Sequence, residues 1–317
     1  MTSLNAEKVK EFQIKTPFGF IAAKFWNESG QKTPILALHG WMDNAGSWDP
    51  ICPFLDSDHP LVAIDTVGHG LSSHFQGLGS CITDHLVTIE RVLKHLQWDK
   101  AILLGHSMGG GSCLLYAGAR PEKVEKLIVI DILKPLHVNP DAQPGRTAKS
   151  LVGLLDAETK DKMAAPRYSY IEMVEKMVKS YGPSLNAESA KTLLKRGAHR
   201  HDDGTYSFTH SPSIKVSNTL SMTLEQQEAF ASKVSCEFLF IKAISSFNYF
   251  GKDVMRQFLD IYKNSSKNFR FEVVEGTHHV HMNSPEVVAA IINSFLHGEP
   301  PSTEAKKRSE EYIESML

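Results

Sequence analysis

Gly105-His106-Ser107-Met108-Gly109 is the stretch on which the fold turns. Residues 101–104 before it are an apolar run of strand type, and residues 108–119 after it form a helical pattern rich in small residues. A G-x-S-x-G pentapeptide between a strand and a helix marks a sharp turn that pushes the serine Oγ out above the sheet. The flanking glycines fit this reading because a Cβ at either position would meet neighbouring backbone.

Outward from that turn, residues 35–38, 61–64 and 127–130 are further apolar runs, the first two ending in Gly-containing turns. Residues 80–98 carry Ile82, Leu86, Ile89, Val92, Leu93 and Leu96 at helical spacing. Strands alternating with helices predict an α/β class with a doubly wound, mostly parallel sheet. The rhythm breaks after Asp131. Residues 134–235 read as a polar helical insert, with Pro140 and Pro144 marking a linker and helices over 169–181 and 187–196. Strands at 238–241 and 271–274 and a closing helix at 285–296 resume the pattern. The expected division is therefore a first core segment over 1–133, a helical cap over 134–235, a second core segment over 236–298 and a polar tail over 299–317.

The 317-residue chain has 34 Lys plus Arg against 36 Asp plus Glu and is 42% hydrophobic. This balance excludes a disordered chain and gives no electrostatic footprint for nucleic acid or anionic membrane. No run approaches the roughly 18 apolar residues of a membrane-crossing helix. Residues 1–12 lack the apolar core of a secretory signal, so the expected location is cytoplasmic. The C-terminal Ser315-Met316-Leu317 is one substitution from the S-K-L peroxisomal address, which keeps that compartment open. Four scattered cysteines (Cys52, Cys81, Cys113, Cys236) without C-x-x-C spacing read as inert thiols. Lys306-Lys307-Arg308 reads as a solvated stretch.

A serine hydroxyl becomes a nucleophile only beside a base that a third group orients. Gly276-Thr277-His278-His279-Val280-His281 lies just past the last strand, where a loop returns over the sheet's C-terminal edge, and His278 is the candidate base. His281 reads as a packing histidine and His279 carries no assignment. Metal is not expected there, since no carboxylate or cysteine of suitable spacing joins the histidines. Nor is it expected at His199, His201, Asp202 and Asp203, which precede Gly204 in a polar turn. The oxyanion formed by attack on a carbonyl needs backbone donors. Met108 N–H at the helix N-terminus is one, and Trp41 N–H after His39-Gly40 is the other; the Trp41 ring lines the pocket or fills the core. Asp43 and His106 are candidate substrate-pocket residues, although Asp43 and Asn44 also suit an Asx turn. Asp65 and His69 read as turn-holding groups. Tyr168, Tyr170, Met173 and Met177 sit at helical spacing in the insert and read as packing residues.

From about residue 9 to 297 the chain resembles the α/β-hydrolase superfamily: the HG before Trp41, DTVGHGLSS, GHSMGG and GTHHVHM stand in family order. Within it, HGWMDNA, FLFIKA and GTHHVHM resemble the animal serine hydrolase-like, or kraken-type, group. Many members carry the acid in a turn after the strand that follows the cap, but Ala243-Ile244-Ser245-Ser246-Phe247 has no carboxylate. Others place it before the cap, where this chain has Asp131. Asp131 is the preferred acid because it ends the 127–130 run at the catalytic edge, although an Asp there can equally cap the next turn. Asp253 and the absence of any working acid are the alternatives. The resemblance implies a serine hydrolase acting on an acyl ester or thioester without a cofactor, the insert serving as a lid. It weighs against dehalogenase or epoxide hydrolase chemistry, whose family members use Asp where this chain has Ser107. A C–C bond hydrolase and a ligand-binding pseudo-enzyme remain alternatives. The expected partner is a small acyl substrate, the expected state a monomer or weak homodimer.

Overall fold

The computed structural model describes residues 9–74, 81–161, 165–216 and 220–315; residues 1–8, 75–80, 162–164, 217–219, 316 and 317 lie outside the description. Met316 and Leu317 of the C-terminal tripeptide, and most of the N-terminal dozen, are therefore outside it.

The chain begins with a hairpin, β1 (Lys10–Thr16) and β2 (Gly19–Trp26), that the sequence reading did not identify. Its polar and apolar residues alternate only partly, so it carried no clear period. Strands β3 (Ile35–Leu38) and β4 (Leu61–Ile64) follow, then helix α1 (Ile82–Leu96), β5 (Ala101–His106), α2 (Met108–Ala119) and β6 (Val124–Ile130). ILAL, LVAI and AILLGH are buried at every position, as strands covered on both faces must be. The insert holds α3 (Gln143–Asp161), α4 (Tyr170–Tyr181), α5 (Ala187–Gly197), the small hairpin β7 (Ala198–Arg200) and β8 (Tyr206–Phe208), and α6 (Leu224–Ala231). Pro144, read as part of a linker, instead stands in the first turn of α3, where a proline's missing N–H removes no helical bond. The chain then completes the sheet with β9 (Glu237–Ala243), α7 (Lys252–Ser265), β10 (Asn268–Val274), the short α8 (Val280–Asn283), α9 (Pro285–Leu296) and α10 (Thr303–Glu314).

The eight-stranded sheet runs β1-β2-β4-β3-β5-β6-β9-β10, with β1 and β2 antiparallel and the rest parallel. One face packs Leu36, Leu38, Leu103, Val129 and Phe240 beneath α1, α2 and α7; the other packs Ile35, Ile102, Ile130 and Ile241 against α9 and Trp48. The stretch after His297, expected as a polar tail, forms a helix. Helix α10 lies along edge strand β10, where Val273 N–H donates to the buried Ser309 Oγ at 3.2 Å and Tyr312 packs near Phe271. Its charges pair along the outer face, Lys306 with Glu310, Lys307 with Glu311 and Arg308 with Glu304, so the composition hid one inward side. The cover removes an open sheet edge.

The insert sits over the C-terminal ends of the strands. Met173, Met177, Leu185, Leu193 and Leu194 form its own apolar cluster, joined by Met282 of the core. A buried ion pair fixes it: Arg196 of α5 donates to the Asp65 carboxylate at 2.8 Å, and its other branch reaches Glu11 at 2.6 Å. Asp65 also accepts from the backbone N–H groups of Ala45 and Leu71. Removing one partner of a buried pair strands the other charge, so Arg196→Met should lower unfolding stability by roughly 3 kcal/mol, read from the urea midpoint at constant slope.

Candidate active site

Strand β3 has its parallel neighbours on opposite sides, β4 next in sequence on one and β5 on the other. The loops after β3 and β5 therefore part in different directions and leave a crevice at the strands' C-terminal edge. Gly109 N–H donates to His39 O at 3.1 Å, tying the two loops together. A Cβ on Gly109 would stand 2.3 Å from Leu38 O, and one on Gly105 would stand 2.5 Å from Gly110 Cα. Only glycine allows that approach.

Ser107 occupies this turn with φ 50° and ψ −118°, a conformation L residues rarely adopt. Its N–H donates to Ile130 O at 3.1 Å and its carbonyl accepts from Gly111 N–H at 2.9 Å, which hold it there. Among the described residues, Met42, Ser107 and Asp131 are three of the five non-glycine residues at positive φ, and all three lie in loops at this edge.

His278, in the loop after β10, bridges the other two. Its Nε2 is 2.8 Å from Ser107 Oγ and its Nδ1 is 2.6 Å from Asp131 Oδ2. An ionised carboxylate only accepts, so Nδ1 carries the hydrogen and Nε2 presents its lone pair to the serine hydroxyl. Asp131 follows β6 directly at φ 56°, and its side chain is fully buried. Burial opposes its ionisation, but the His278 hydrogen bond and the Lys242 charge outweigh that and hold its pKa below the usual carboxylate value. Asp253 is not brought here. It is 93% exposed at the start of α7 and pairs with Arg256.

Trp41 lies early in the loop after β3 and Met108 opens α2, and neither backbone N–H has a hydrogen-bond acceptor among the described residues. The Trp41 ring neither fills the core nor hangs free: it is half exposed, and its Nε1–H donates to Ile214 O of the insert at 2.7 Å.

Asp43 and His106, expected to line the substrate pocket, lie instead buried behind the His278 loop. His106 Nε2–H donates to the His278 carbonyl at 2.9 Å, which leaves its Nδ1 lone pair 3.5 Å from Asp43 Oδ2 with no hydrogen bond to either atom. Surrounded by His278, His279, His281 and Tyr181, both are shut off from solvent and support the loop. Asp43 Oδ1 accepts from Tyr181 OH at 3.1 Å and His279 Nε2–H at 3.3 Å, while His279 Nδ1 accepts from Ser184 Oγ at 2.6 Å. Asn44 makes the Asx turn, accepting from Gly46 N–H. Asp43, His106 and His279 have ligand atoms within 4.8 Å of one another, a grouping that the search for metal motifs along the sequence missed because 236 residues separate its ends. Tyr181 and His279 already occupy one oxygen of that carboxylate. His281 is buried between Trp48 and His106, its two ring nitrogens without partners among the described residues. His199, His201, Asp202 and Asp203 sit on the β7–β8 hairpin, where His201 bonds Ser207 and Asp203 pairs with Arg167.

Three residues of the site carried no signal that the sequence reading used. Lys242, Ser246 and Tyr249 all approach the Asp131 and His278 side chains. A lysine ending the apolar run FLFIK was the available clue for the first, since a buried lysine needs a partner.

The family profile described as "alpha/beta hydrolase fold" matches residues 33–169. A Drosophila melanogaster protein named "Probable serine hydrolase" is 36% identical over 296 residues, covering 92% of this chain and 89% of that one. The human "Serine hydrolase-like protein 2" is 33% identical over 298 residues, covering 91% and 94%. Among solved structures, a hypothetical protein from Pseudomonas aeruginosa PAO1 superposes with a TM-score of 0.79 at 28% identity, covering 91% of this chain and all of that one.

The buried histidines make stability depend on pH. Burial lowers the pKa of His85 and His106 to about 4 and holds His69 and His281 well below the ordinary value. The unfolded chain binds protons at these residues from about pH 6.5 downward while the folded chain does not, so stability is full above that pH and falls between about 6.5 and 4. Each such group costs about 2 kcal/mol at pH 5. His281→Phe should flatten the fall of the urea midpoint between pH 7 and 5 by the share of one proton.

Proposed function

The chain belongs to the serine hydrolase-like group of the α/β-hydrolase family, and from that premise we propose that it cleaves an acyl ester or thioester through an acyl-enzyme intermediate. The observation that carries the reading is His278 hydrogen-bonded on one side to Ser107 Oγ and on the other to Asp131.

In this reading Ser107 Oγ attacks the acyl carbonyl carbon while its proton passes to His278 Nε2. The oxyanion is held by the N–H groups of Met108 and Trp41; their lack of other acceptors and the tie between the two loops support the pairing. The positive end of α2 adds to the field at Met108. As the tetrahedral intermediate collapses, His278 returns the proton to the departing oxygen or sulfur. Water then adds to the acyl carbon, giving a proton to His278, which passes it to Ser107 Oγ as the acyl–oxygen bond breaks; the product leaves as a carboxylic acid that ionises in solvent. Asp131 stays ionised throughout and stabilises the imidazolium that forms twice in the cycle.

Residues 134–235 act as the cap over this site, excluding water and shaping the acyl pocket. The seating of the insert on the loops after β3, β4 and β10 supports that role. The contact between Asp131 and His278 supports the enzyme reading over the pseudo-enzyme one. The site of action is proposed as the cytoplasm, with the peroxisome the alternative; among the described residues no helix is long and apolar enough to cross a membrane.

A fluorophosphonate should label the protein at Ser107, as mapped by mass spectrometry of the adduct, with labelling abolished in Ser107→Ala and strongly reduced in His278→Ala. A folded protein that takes no adduct sinks the proposal. The acid is tested on its own: Asp131→Asn should slow ester turnover by about 10³–10⁴, while Asp253→Asn stays near wild type. Near-wild-type turnover in Asp131→Asn would remove it from the triad.

A further inference from the structure

Asp131 is surrounded by more donors than a base-orienting acid requires. Oδ2 takes the His278 ring N–H and the Ser246 hydroxyl; Oδ1 takes Lys242 Nζ at 2.8 Å and Ala243 N–H at 3.0 Å. Two oxygens offer about four acceptor sites, and all are filled. Lys242 stands on β9 in the same alternation as Phe238 and Phe240, whose rings lie in the core, and its side chain is only 6% exposed. Asp131 is its one anionic partner among the described residues, and its remaining acceptor is Ala243 O at 2.9 Å. A charge in that setting is not a surface pair that salt would screen.

We propose that Lys242, assisted by Ser246, is a positioning residue that weakens His278 as a base by neutralising the carboxylate behind it. This inference rests on the triad reading above. An imidazolium at His278 faces a carboxylate already paired with an ammonium group, so the proton gains less there than beside a lone carboxylate. The Lys242 ammonium group thus opposes the positive charge that forms on His278 when it takes the Ser107 proton.

Among the described residues, the other rings facing His278 are neutral or tied elsewhere. Tyr249, whose ring lies 5.4 Å from His278 on the loop after β9, is pushed up to about 12 by burial and stays neutral. His106, 4.6 Å away at the end of β5, is held neutral by burial to about pH 4. His279, on the same loop as His278, is tied to Asp43 and Ser184. The turn 243–247, which has no carboxylate, thus supplies donors to an acid that stands elsewhere.

The test follows the rate of fluorophosphonate labelling at Ser107 by intact mass from pH 4.5 to 9, in wild type, Lys242→Met and Ser246→Ala. Removing the ammonium group stabilises the imidazolium, so the midpoint of the acid limb should rise by about one pH unit in Lys242→Met, leaving labelling at pH 5 about tenfold slower. Ser246→Ala should move it the same way by a smaller step. An acid limb unmoved or lowered in folded Lys242→Met overturns the inference. If Lys242→Met does not fold, the half-exposed Ser246→Ala decides, and an unmoved limb there overturns it. Wild-type protein that takes no label at Ser107 is a different result: it removes the triad reading, and the inference with it.

Discussion

The hydrogen bond from His278 Nδ1–H to Asp131 Oδ2 joins two parts of the chain 147 residues apart, and much of the architecture exists to make it possible. Asp131 must leave β6 at positive φ to aim its carboxylate across the sheet edge, a strained geometry for a non-glycine residue. What holds it is the central sheet: Asp131 N–H donates to Ile241 O at 2.7 Å, and Ala243 N–H returns a bond to the carboxylate at 3.0 Å. The acid is thus fastened to β9, which forms only after the chain has passed through the whole insert. Neither half of the core can build the site without the other.

Charge placement follows from burial at that point. A lone carboxylate with no exposed surface would be costly, and Lys242 offsets its charge within the same buried layer. The histidines around it solve the opposite problem. His106 and His281 remain neutral because desolvation disfavours their charged forms, so the region contains rings that pack as aromatics while keeping hydrogen-bonding atoms in reserve. His106 uses one such atom to hold the His278 carbonyl; His281 uses neither.

The sheet was legible wherever a run of residues was apolar throughout, as at 35–38, 61–64 and 101–104, because a strand buried on both faces leaves no ambiguity of period. The helix at 108–119, buried along most of its length, and the closing helix at 285–296, with an apolar stripe on one face, fell at the expected residues. Elements with one solvent face and many charges, β1, α3, α7 and α10, gave no comparable signal, since their stability comes from what they pack against. Ser107 and His278 were readable from local context, the glycine turn in one case and the post-strand loop in the other. The acid was readable only as a preference: Asp131 ends an apolar run at the catalytic edge and Asp253 does not, but the distinction between a buried and an exposed carboxylate exists only in three dimensions. The misplacement of Asp43 and His106 has the same origin: proximity in sequence to a candidate serine or oxyanion loop does not say which way a side chain turns.

The insert is bound to the core beside the base as well as through Arg196. Ser184 Oγ meets His279, its carbonyl accepts from Thr277 Oγ1 and Asn283, and Tyr181 OH reaches Asp43 behind the same loop. These contacts come from the end of α4 and the turn after it, while α3 packs mainly on residues 212–215 of the insert itself and leaves Leu151, Val152 and Leu155 exposed. Lifting the whole insert would strip hydrogen bonds from the residues flanking His278 and leave buried polar atoms unpaired, each at a cost of about 1–3 kcal/mol. A movement confined to α3 breaks none of them. The hydrogen bonds of Tyr181 and Ser184 therefore fasten the α4–α5 half of the insert to the core as a support for the loop that carries His278.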